Sequence, residues 1–402
     1  MHSSLINLIV FIIISFVGLN IVSYYSEKVK VLPQVIWILL LGLGYGAIAH
    51  YSNIPLPELV LDPNLILFVF VPILIFGASY KMCLYHFRRV LVQSISLATL
   101  GIIISSLIVA VLFHFILSMP FLVALLFGVI ISATDPIAVS AILHSTNKIG
   151  ITKKMLIEGE SILNDGFVVA MFGLLSVLIF GIEKINIFFT GGGLVLKIVG
   201  SLFVGLVLGR IARYILKRWR SSLHELTVNI TLALAFASFL LAEILHFPGV
   251  LAVFAAALSY GYRPEKESKH IFNSQIYVWE YLEYIVNSIL FFLLGASFFA
   301  QADLMLISIG IFTLSIFTLF ISRVMALGIM LPFMKIQKKK TTKKDFWMLN
   351  FAGSRGAISV ALILLLPHDF VYKSQFLTLA FIMVFFSLIV YPILMKQSLE
   401  SE

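Results

Sequence analysis

Residues 156–180 read LIEGESILNDGFVVAMFGLLSVLIF, and this stretch decides the class of fold. It is long enough to cross a bilayer, because a membrane-spanning helix needs about 20 mostly apolar residues. Its first half nevertheless carries five polar side chains, namely Glu158, Glu160, Ser161, Asn164 and Asp165. Ionisable side chains inside a membrane span are costly and mark functional sites by default. The stretch therefore predicts a membrane helix that carries such a site.

The whole chain has the composition of a membrane protein. Of its 402 residues, 61% are hydrophobic and 12% are charged, and the mean hydropathy is +1.08. Soluble domains carry about 25% charged residues, so the composition excludes a water-soluble enzyme. The single cysteine, Cys83, excludes an intrachain disulfide framework and a cysteine-rich metal site. No phosphate loop, zinc spacing or nucleophile elbow stands out, so we expect no cofactor.

Uncharged runs predict thirteen transmembrane helices and no soluble domain, so residues 1–402 are expected to form a single transmembrane unit. The runs are continuously apolar rather than alternating, which favours an all-α membrane protein. The predicted spans are 5–23, 31–49, 63–80, 91–117, 121–144, 156–180, 194–216, 226–245, 248–261, 276–299, 304–331, 347–366 and 375–395.

The distribution of basic residues predicts the topology. Cytoplasmic loops carry an excess of Lys and Arg. The odd-numbered connections and the C-terminal tail hold 23 of the 28 Lys and Arg residues, and the even-numbered connections hold two. The N-terminus is therefore expected outside and the C-terminus in the cytoplasm. The run at residues 338–344 is then a topology anchor near anionic lipid rather than a nucleic-acid patch.

A break is predicted in the fifth span at Thr134-Asp135-Pro136. Pro136 removes a backbone donor, and a proline disfavours the helical region for the residue before it. An opened helix is tolerated at membrane depth only around protein or a hydrated cavity. The alternative interpretation is a plain proline kink, capped by Asp135, without a role in transport.

The sixth span places Asp165 deep in the membrane. Ser161 and Asp165 are four residues apart and share one helix face, while Glu160 and Asn164 share the neighbouring face. From a cytoplasmic entry near Met155, Asp165 lies about 15 Å deep, close to the middle of the bilayer. A proton or a small cation can neutralise a carboxylate there, but not both at once, which is a basis for exchange. A purely structural Asp165, paired to a helix end, is the alternative.

Two arginines are also expected inside spans. Arg355 stands between Gly353 and Gly356 in the twelfth span, where the glycines weaken the helix and predict a second break. Arginine keeps its charge when buried, so each must find an anion or free carbonyl groups. Glu160 is the expected partner of Arg323, in the eleventh span.

The predicted breaks occupy corresponding places in two halves of the chain. Residues 5–180 and 226–395 each hold six spans, and the fifth span of each half carries its break. The topology places spans 5 and 12 in opposite orientations. Interrupted spans at corresponding positions of inverted repeats point to a transporter site near the midplane.

Three motifs together resemble the bacterial NhaP-type and eukaryotic sodium/proton exchangers. They are Thr134-Asp135-Pro136, Glu160-Ser161-Ile162-Leu163-Asn164-Asp165 and Gly353-Ser354-Arg355-Gly356-Ala357. The resemblance implies thirteen helices with two crossed broken helices, a homodimer, and elevator-like exchange of Na⁺ (or K⁺ or Li⁺) for H⁺ in an inner membrane, serving pH and cation homeostasis. A cation channel or a non-transporting pH sensor on the same scaffold is the alternative.

Carried over by position, the resemblance implies that Asp165 is the carboxylate that binds either Na⁺ or a proton. Ser161 and the backbone of Thr134 would contribute oxygen atoms, and Asn164 and Asp135 would organise the crossed helix ends. The structural residues implied are the ion pair Glu160–Arg323 and the break residues Pro136, Gly353, Arg355 and Gly356.

One position departs from the family pattern. Family members usually carry Glu or Asp in the third span, where this chain has Gly77. Fewer hard oxygen ligands imply weak Na⁺ binding or a preference for K⁺, unless water or Ser79 fills the gap. At the start of the tenth span, Glu280 and Glu283 are expected to be solvated, with steering of cations as the alternative. Trp279 is expected to anchor that span at the membrane interface.

Overall fold

The computed structural model of the chain describes residues 18, 20, 22, 24, 26, 33–51, 59–135, 137, 139, 143, 149–181, 187–219, 224–261, 269–336 and 339–400. Within these ranges, eight helices are long and apolar enough to cross a membrane. Three shorter apolar helical segments, Leu65–Lys81, Phe121–Ser132 and Gly249–Gly261, accompany them.

The first part of the chain holds ten helices in the described ranges. They are α1 (Gln34–Tyr51), α2 (Val71–Lys81), α3 (Leu84–Arg88), α4 (Leu91–Ser96), α5 (Ile102–Ile116), α6 (Phe121–Ser132), α7 (Ile151–Phe180), α8 (Ile187–Trp219), α9 (His224–Ile244) and α10 (Gly249–Gly261). Two π-helical segments, Leu65–Phe70 and Leu97–Gly101, lead directly into α2 and α5. Such segments are common at functional sites.

The second part continues with six helices. They are α11 (Lys269–Ala296), α12 (Phe298–Gln301), α13 (Ile309–Met330), α14 (Lys343–Phe351), α15 (Ala357–Leu364) and α16 (Lys373–Glu400). Two 3₁₀ turns, Leu304–Leu306 and Leu331–Phe333, flank α13. A short antiparallel pair of strands, β1 (Lys335–Ile336) and β2 (Lys339–Lys340), precedes α14 and is the exception to the helical fold.

Each predicted span from the second to the thirteenth has a helical counterpart. The boundary between the fourth and fifth predicted spans, at residues 118–120, is confirmed. There Ser118 adopts a left-handed φ of 53° between α5 and α6. Most of the first predicted span lies outside the described residues, so the count of thirteen stays a prediction. Pro136 also lies outside them.

Glycines allow the closest helix contacts. Gly42 and Gly46 face the backbone of Phe292 and Ala296, so that α1 and α11 pack without intervening side chains. Small residues four apart support such close packing between membrane helices. The expectation that Trp279 lies at the membrane interface is wrong. Its side chain is fully buried, its ring lies 4.5 Å from that of Phe76, and its Nε1 donates to Thr231 Oγ1 at 3.1 Å.

Candidate ion-binding site

Two non-helical segments meet at the centre of the site. Helix α6 ends at Ser132 and residues 133–135 are not helical, while residues 353–356 separate α14 from α15. The N–H of Asp135 donates to the Ser354 carbonyl at 2.7 Å, and Ser354 Oγ donates to the Asp135 carbonyl at 2.6 Å. These two bonds pair the N–H and the carbonyl of Asp135 and the carbonyl of Ser354 across the two segments.

The two segments run in opposite directions. Ser359 Oγ donates to the Ile130 carbonyl at 2.9 Å, and Arg355 Nη1 donates to the Ser132 carbonyl at 2.8 Å. Together with the pair Asp135–Ser354, these contacts join rising residue numbers in one segment to falling numbers in the other. These contacts therefore describe a local antiparallel crossing, and the inversion of the two whole halves stays a prediction.

The Arg355 guanidinium is hydrogen-bonded to backbone carbonyl groups. Its side chain is buried, and Nη1 also reaches the Ala133 carbonyl at 3.3 Å. The end of a helix leaves carbonyl groups without intrahelical partners and carries partial negative charge. A guanidinium is therefore stabilised at the end of α6 without a carboxylate partner. The backbone N–H of Arg355 donates to Ser387 Oγ at 2.8 Å, which fixes the break to α16.

Helix α7 presents its predicted polar face to the crossing. Ser161 Oγ donates to the Thr134 carbonyl and lies 3.2 Å from Thr134 Oγ1. Asn164 Nδ2 donates to Thr134 Oγ1 at 2.6 Å. Asp135 is held locally, because its Oδ1 accepts from the N–H of Ile137 at 2.9 Å. These bonds bring four of the predicted site residues together around one stretch of open backbone.

Glu160 and Arg323 form a buried ion pair beside this cluster. Arg323 Nη2 lies 2.6 Å from Glu160 Oε1, and their side chains are 7% and 3% exposed. Arg323 Nη2 also donates to the Leu349 carbonyl at 3.1 Å. The pair thus joins α7, α13 and α14 next to the second break. Neither residue borders the cavity described next.

Asp165 borders a cavity of about 80 Å³. Its residue surface is 7% exposed, and no hydrogen bond or ion pair from the described residues reaches its carboxylate. Thr134, Asp135 and Gly356 line the same space. One water molecule needs roughly 10–15 Å³ on this measure, so the cavity is large enough for a small cation with water. An unpaired carboxylate in such a space can accept a cation or a proton.

Two further polar residues line the cavity, and the environment predicted for one of them is wrong. Glu283 was expected to be solvated, but its side chain is only 16% exposed and it borders the cavity with Asn287. The signal that would have identified both is their spacing. Trp279, Glu283 and Asn287 stand four residues apart, so they share one face of α11.

These features describe a polytopic membrane protein with a cavity at two interrupted segments, in which a few polar side chains stand among apolar ones. The family model for transmembrane sodium/hydrogen exchangers matches residues 11–400. The chain therefore belongs to the sodium/hydrogen exchanger family.

Individual relatives agree with this assignment. The chain is 30% identical to the Na⁺/H⁺ antiporter NhaH of Halobacillus dabanensis over 82% of its own length and 81% of that protein. It is 30% identical to the Na⁺/H⁺ antiporter NhaG of Bacillus atrophaeus over 92% of its length and 70% of that protein. The structure of the sodium proton antiporter MjNhaP1 from Methanocaldococcus jannaschii matches with a TM-score of 0.76. That match covers 98% of this chain and 97% of the other at 21% identity, and it shows a shared fold.

Proposed function

We propose that this protein is a secondary antiporter that exchanges Na⁺ for H⁺ across the membrane. The observation that supports the proposal most directly is the Asp165 carboxylate beside the cavity, which no hydrogen bond or ion pair within the described part of the chain reaches. It lies next to the crossing of two interrupted segments. The family assignment and the names of the relatives point to the same reaction.

Competition at one carboxylate explains the exchange. When Asp165 carries a proton, its charge is neutralised and it has little affinity for a cation. Release of that proton leaves a charge in a desolvated site, which Na⁺ then neutralises. Because the two occupants exclude each other, each passage of a cation in one direction is coupled to a proton in the other.

The neighbouring residues prepare the site for this competition. The hard oxygen donors proposed to complete a Na⁺ shell are the Thr134 carbonyl, whose residue borders the cavity, and Ser161 Oγ, which is hydrogen-bonded to that carbonyl. Asn164 orients Thr134 through a hydrogen bond from its side-chain amide. Asp135 joins the two interrupted segments through its backbone bonds to Ser354. Glu160 and Arg323 act as a structural brace and Arg355 as a fixed positive charge at the breaks.

Purified protein in proteoliposomes tests the proposal. An imposed Na⁺ gradient should drive H⁺ in the opposite direction, and Asp165→Asn should abolish that movement while the thermal unfolding midpoint stays within the range of the wild type. The matched control is Asp303→Asn, which removes an acid that caps a 3₁₀ turn away from the cavity. Full exchange by Asp165→Asn would remove Asp165 from the role of carrier.

The same assay separates exchange from the alternative functions. A cation channel would dissipate the membrane potential without obligatory proton counterflow, and a pH sensor would move neither ion. Repeating the experiment with K⁺ and Li⁺ identifies the cation. We further propose the inner membrane as the location, a homodimer as the assembly, and a topology with the N-terminus outside and the C-terminus in the cytoplasm, following the distribution of Lys and Arg.

A further inference from the structure

The third predicted span lacks a carboxylate, yet the structure places one at that position from another helix. An ideal Cβ added to Gly77 would overlap Oε1 of Glu283, and it would lie 2.7 Å from the Glu283 carboxyl carbon. Gly77 is on α2 and Glu283 is on α11, more than two hundred residues later. The Glu283 carboxylate therefore occupies the space into which a side chain at residue 77 would project.

The two oxygen atoms of the Glu283 carboxylate differ in their hydrogen bonding among the described residues. Glu283 Oε2 accepts a hydrogen bond from Lys81 Nζ at 2.7 Å, at the end of α2. Its Oε1 is buried and has no hydrogen-bond partner among the residues that the structure describes. A buried acceptor without a partner is costly, which points to an occupant that the oxygen binds.

A second unpartnered oxygen lies one helical turn further along α11. Asn287 Oδ1 is also buried without a hydrogen-bond partner in the described part of the chain, and Asn287 borders the same cavity as Glu283 and Asp165. Glu283 and Asn287 lie on one face of α11, and Asp165 borders the same cavity as both. Carboxylate and amide oxygen atoms are the donors that a hard cation prefers.

We infer that Glu283 is the second carboxylate of the cation site, supplied by α11 in place of the third-span acid that Gly77 lacks. Lys81 is its counter-ion when no cation is bound. This inference rests on the proposed function. It makes cation affinity in this chain dependent on a glutamate outside the three motifs. It also gives a reason for the glycine, since a Cβ at residue 77 would overlap the carboxylate of Glu283 in its observed position.

Relocating the carboxylate tests the inference. Glu283→Gln should raise the Na⁺ concentration for half-maximal exchange by at least about tenfold, because a charged ligand is lost. The pair Gly77→Glu with Glu283→Ala should bring it back to within about threefold of the wild type, whereas Glu283→Ala alone should not. Gly77→Glu alone should not improve affinity, because two carboxylates would compete for one volume.

Two further variants separate a cation ligand from a structural role. Lys81→Met removes the partner of Glu283 and should leave the half-saturating Na⁺ concentration unchanged or lower it; a purely structural ion pair would make Lys81→Met resemble Glu283→Gln. Glu280→Gln, an exposed acid three residues earlier on α11, is the matched control and should behave as the wild type. The rise in unfolding temperature with added NaCl gives a second readout of affinity that does not require transport.

The outcomes distinguish this inference from the proposed function. If the wild type exchanges Na⁺ for H⁺ and Glu283→Gln, folded as judged by its unfolding midpoint, keeps wild-type half-saturation, Glu283 is not a ligand and the antiporter assignment stands. If the double variant has the same half-saturating Na⁺ concentration as Glu283→Ala, a carboxylate at residue 77 cannot replace the one at residue 283, and the inference is overturned. Absence of any Na⁺-driven proton movement in the wild type would contradict the proposed function itself.

Discussion

The N–H of Asp135 donates to the carbonyl of Ser354, and the Ser354 hydroxyl donates back to the carbonyl of Asp135. These residues are 219 positions apart, and their reciprocal bonds are the point where the two halves of the chain share one polar centre. Open backbone in a membrane interior must find partners. Each interrupted segment here supplies some of those partners to the other, and Ser161 on α7 and Ser387 on α16 supply further ones.

Gly356→Ala should impair the crossing. An added Cβ would lie 2.6 Å from Cβ and Oδ2 of Asp135, while the Gly356 φ of −124° is open to any residue. We expect a loss of about 1–3 kcal/mol in unfolding free energy from overpacking, together with slower exchange. Gly173→Ala on α7, where an added Cβ meets nothing within 4 Å, is the control. Wild-type stability and exchange in Gly356→Ala would show that Asp135 moves aside freely.

Glu160→Ala should destabilise the protein more than most substitutions. Removing one partner of a buried ion pair leaves an uncompensated charge and costs about 3–5 kcal/mol. The lost charge partner is Arg323, which lies against α14. Thermal unfolding in detergent and the yield of folded protein measure the effect.

The double variant Glu160→Leu with Arg323→Met is the matched control for this prediction. Removing both charges should cost less than Glu160→Ala alone, because no buried charge is left unpaired. If the double variant is as unstable as the sum of its two single variants, the two residues act independently and the brace is refuted.

The ion pair Lys153–Asp345 should make stability depend on pH. Lys153 Nζ lies 2.5 Å from Asp345 Oδ1, and Asp345 forms a capping box with Thr342 at the start of α14. Burial alone would raise the pKa of the Asp345 carboxyl, but the hydrogen bonds from Lys153 and Thr342 lower it below the ordinary value. The stabilisation is therefore complete above the unfolded-state pKa of about 3.9 and is lost as the pH falls through the lower folded-state pKa.

Asp345→Asn tests this dependence. At pH 7 it should lower the unfolding free energy by up to about 1 kcal/mol, a small value because Lys153 is one-third exposed. The difference from the wild type should shrink as the pH falls below about 4. Lys153→Ala should show the same pattern, and the double variant should not add to it. A difference that stays constant from pH 7 to pH 3 would contradict the assignment.

Gly42→Ala should separate α1 from α11. An added Cβ would overlap the Phe292 carbonyl oxygen, and backbone cannot yield as a flexible side chain does. We expect a loss of about 1–3 kcal/mol. Gly44→Ala, two residues along the same helix, meets nothing within 4 Å and should be neutral or slightly stabilising. Equal unfolding midpoints for the two variants would show that this packing is looser than described.

Local signals made most of the architecture predictable. Apolar runs of sufficient length predicted the helices, and Gly353 and Gly356 predicted the interruption between α14 and α15, because length and backbone freedom are properties of neighbouring residues. The need of a buried arginine for an anion or for carbonyl groups anticipated the environments of both Arg323 and Arg355. Each of these inferences used a property that depends on the residue type and its neighbours in sequence, not on the tertiary structure.

Glu283 shows where local signals fail. The predicted span began at residue 276, which put Glu283 near the membrane surface. The candidate span within α11 begins at Gln275, so the predicted start was close to correct. What the local pattern did not reveal is that Glu283 packs against Gly77 and Lys81 of α2, because that contact depends on how the two helices pack.

The sequence by itself determined that this chain has the composition of a membrane protein, that Asp165, Arg323 and Arg355 fall inside its apolar runs, and which family it resembles. Only the tertiary structure decided which oxygens face one cavity, because Asp165, Glu283 and Asn287 come from helices whose packing the local pattern does not encode. Gly77 and Glu283, whose carboxylate fills the space beside that glycine, are far apart in sequence. Their contact exists only once α2 and α11 pack together.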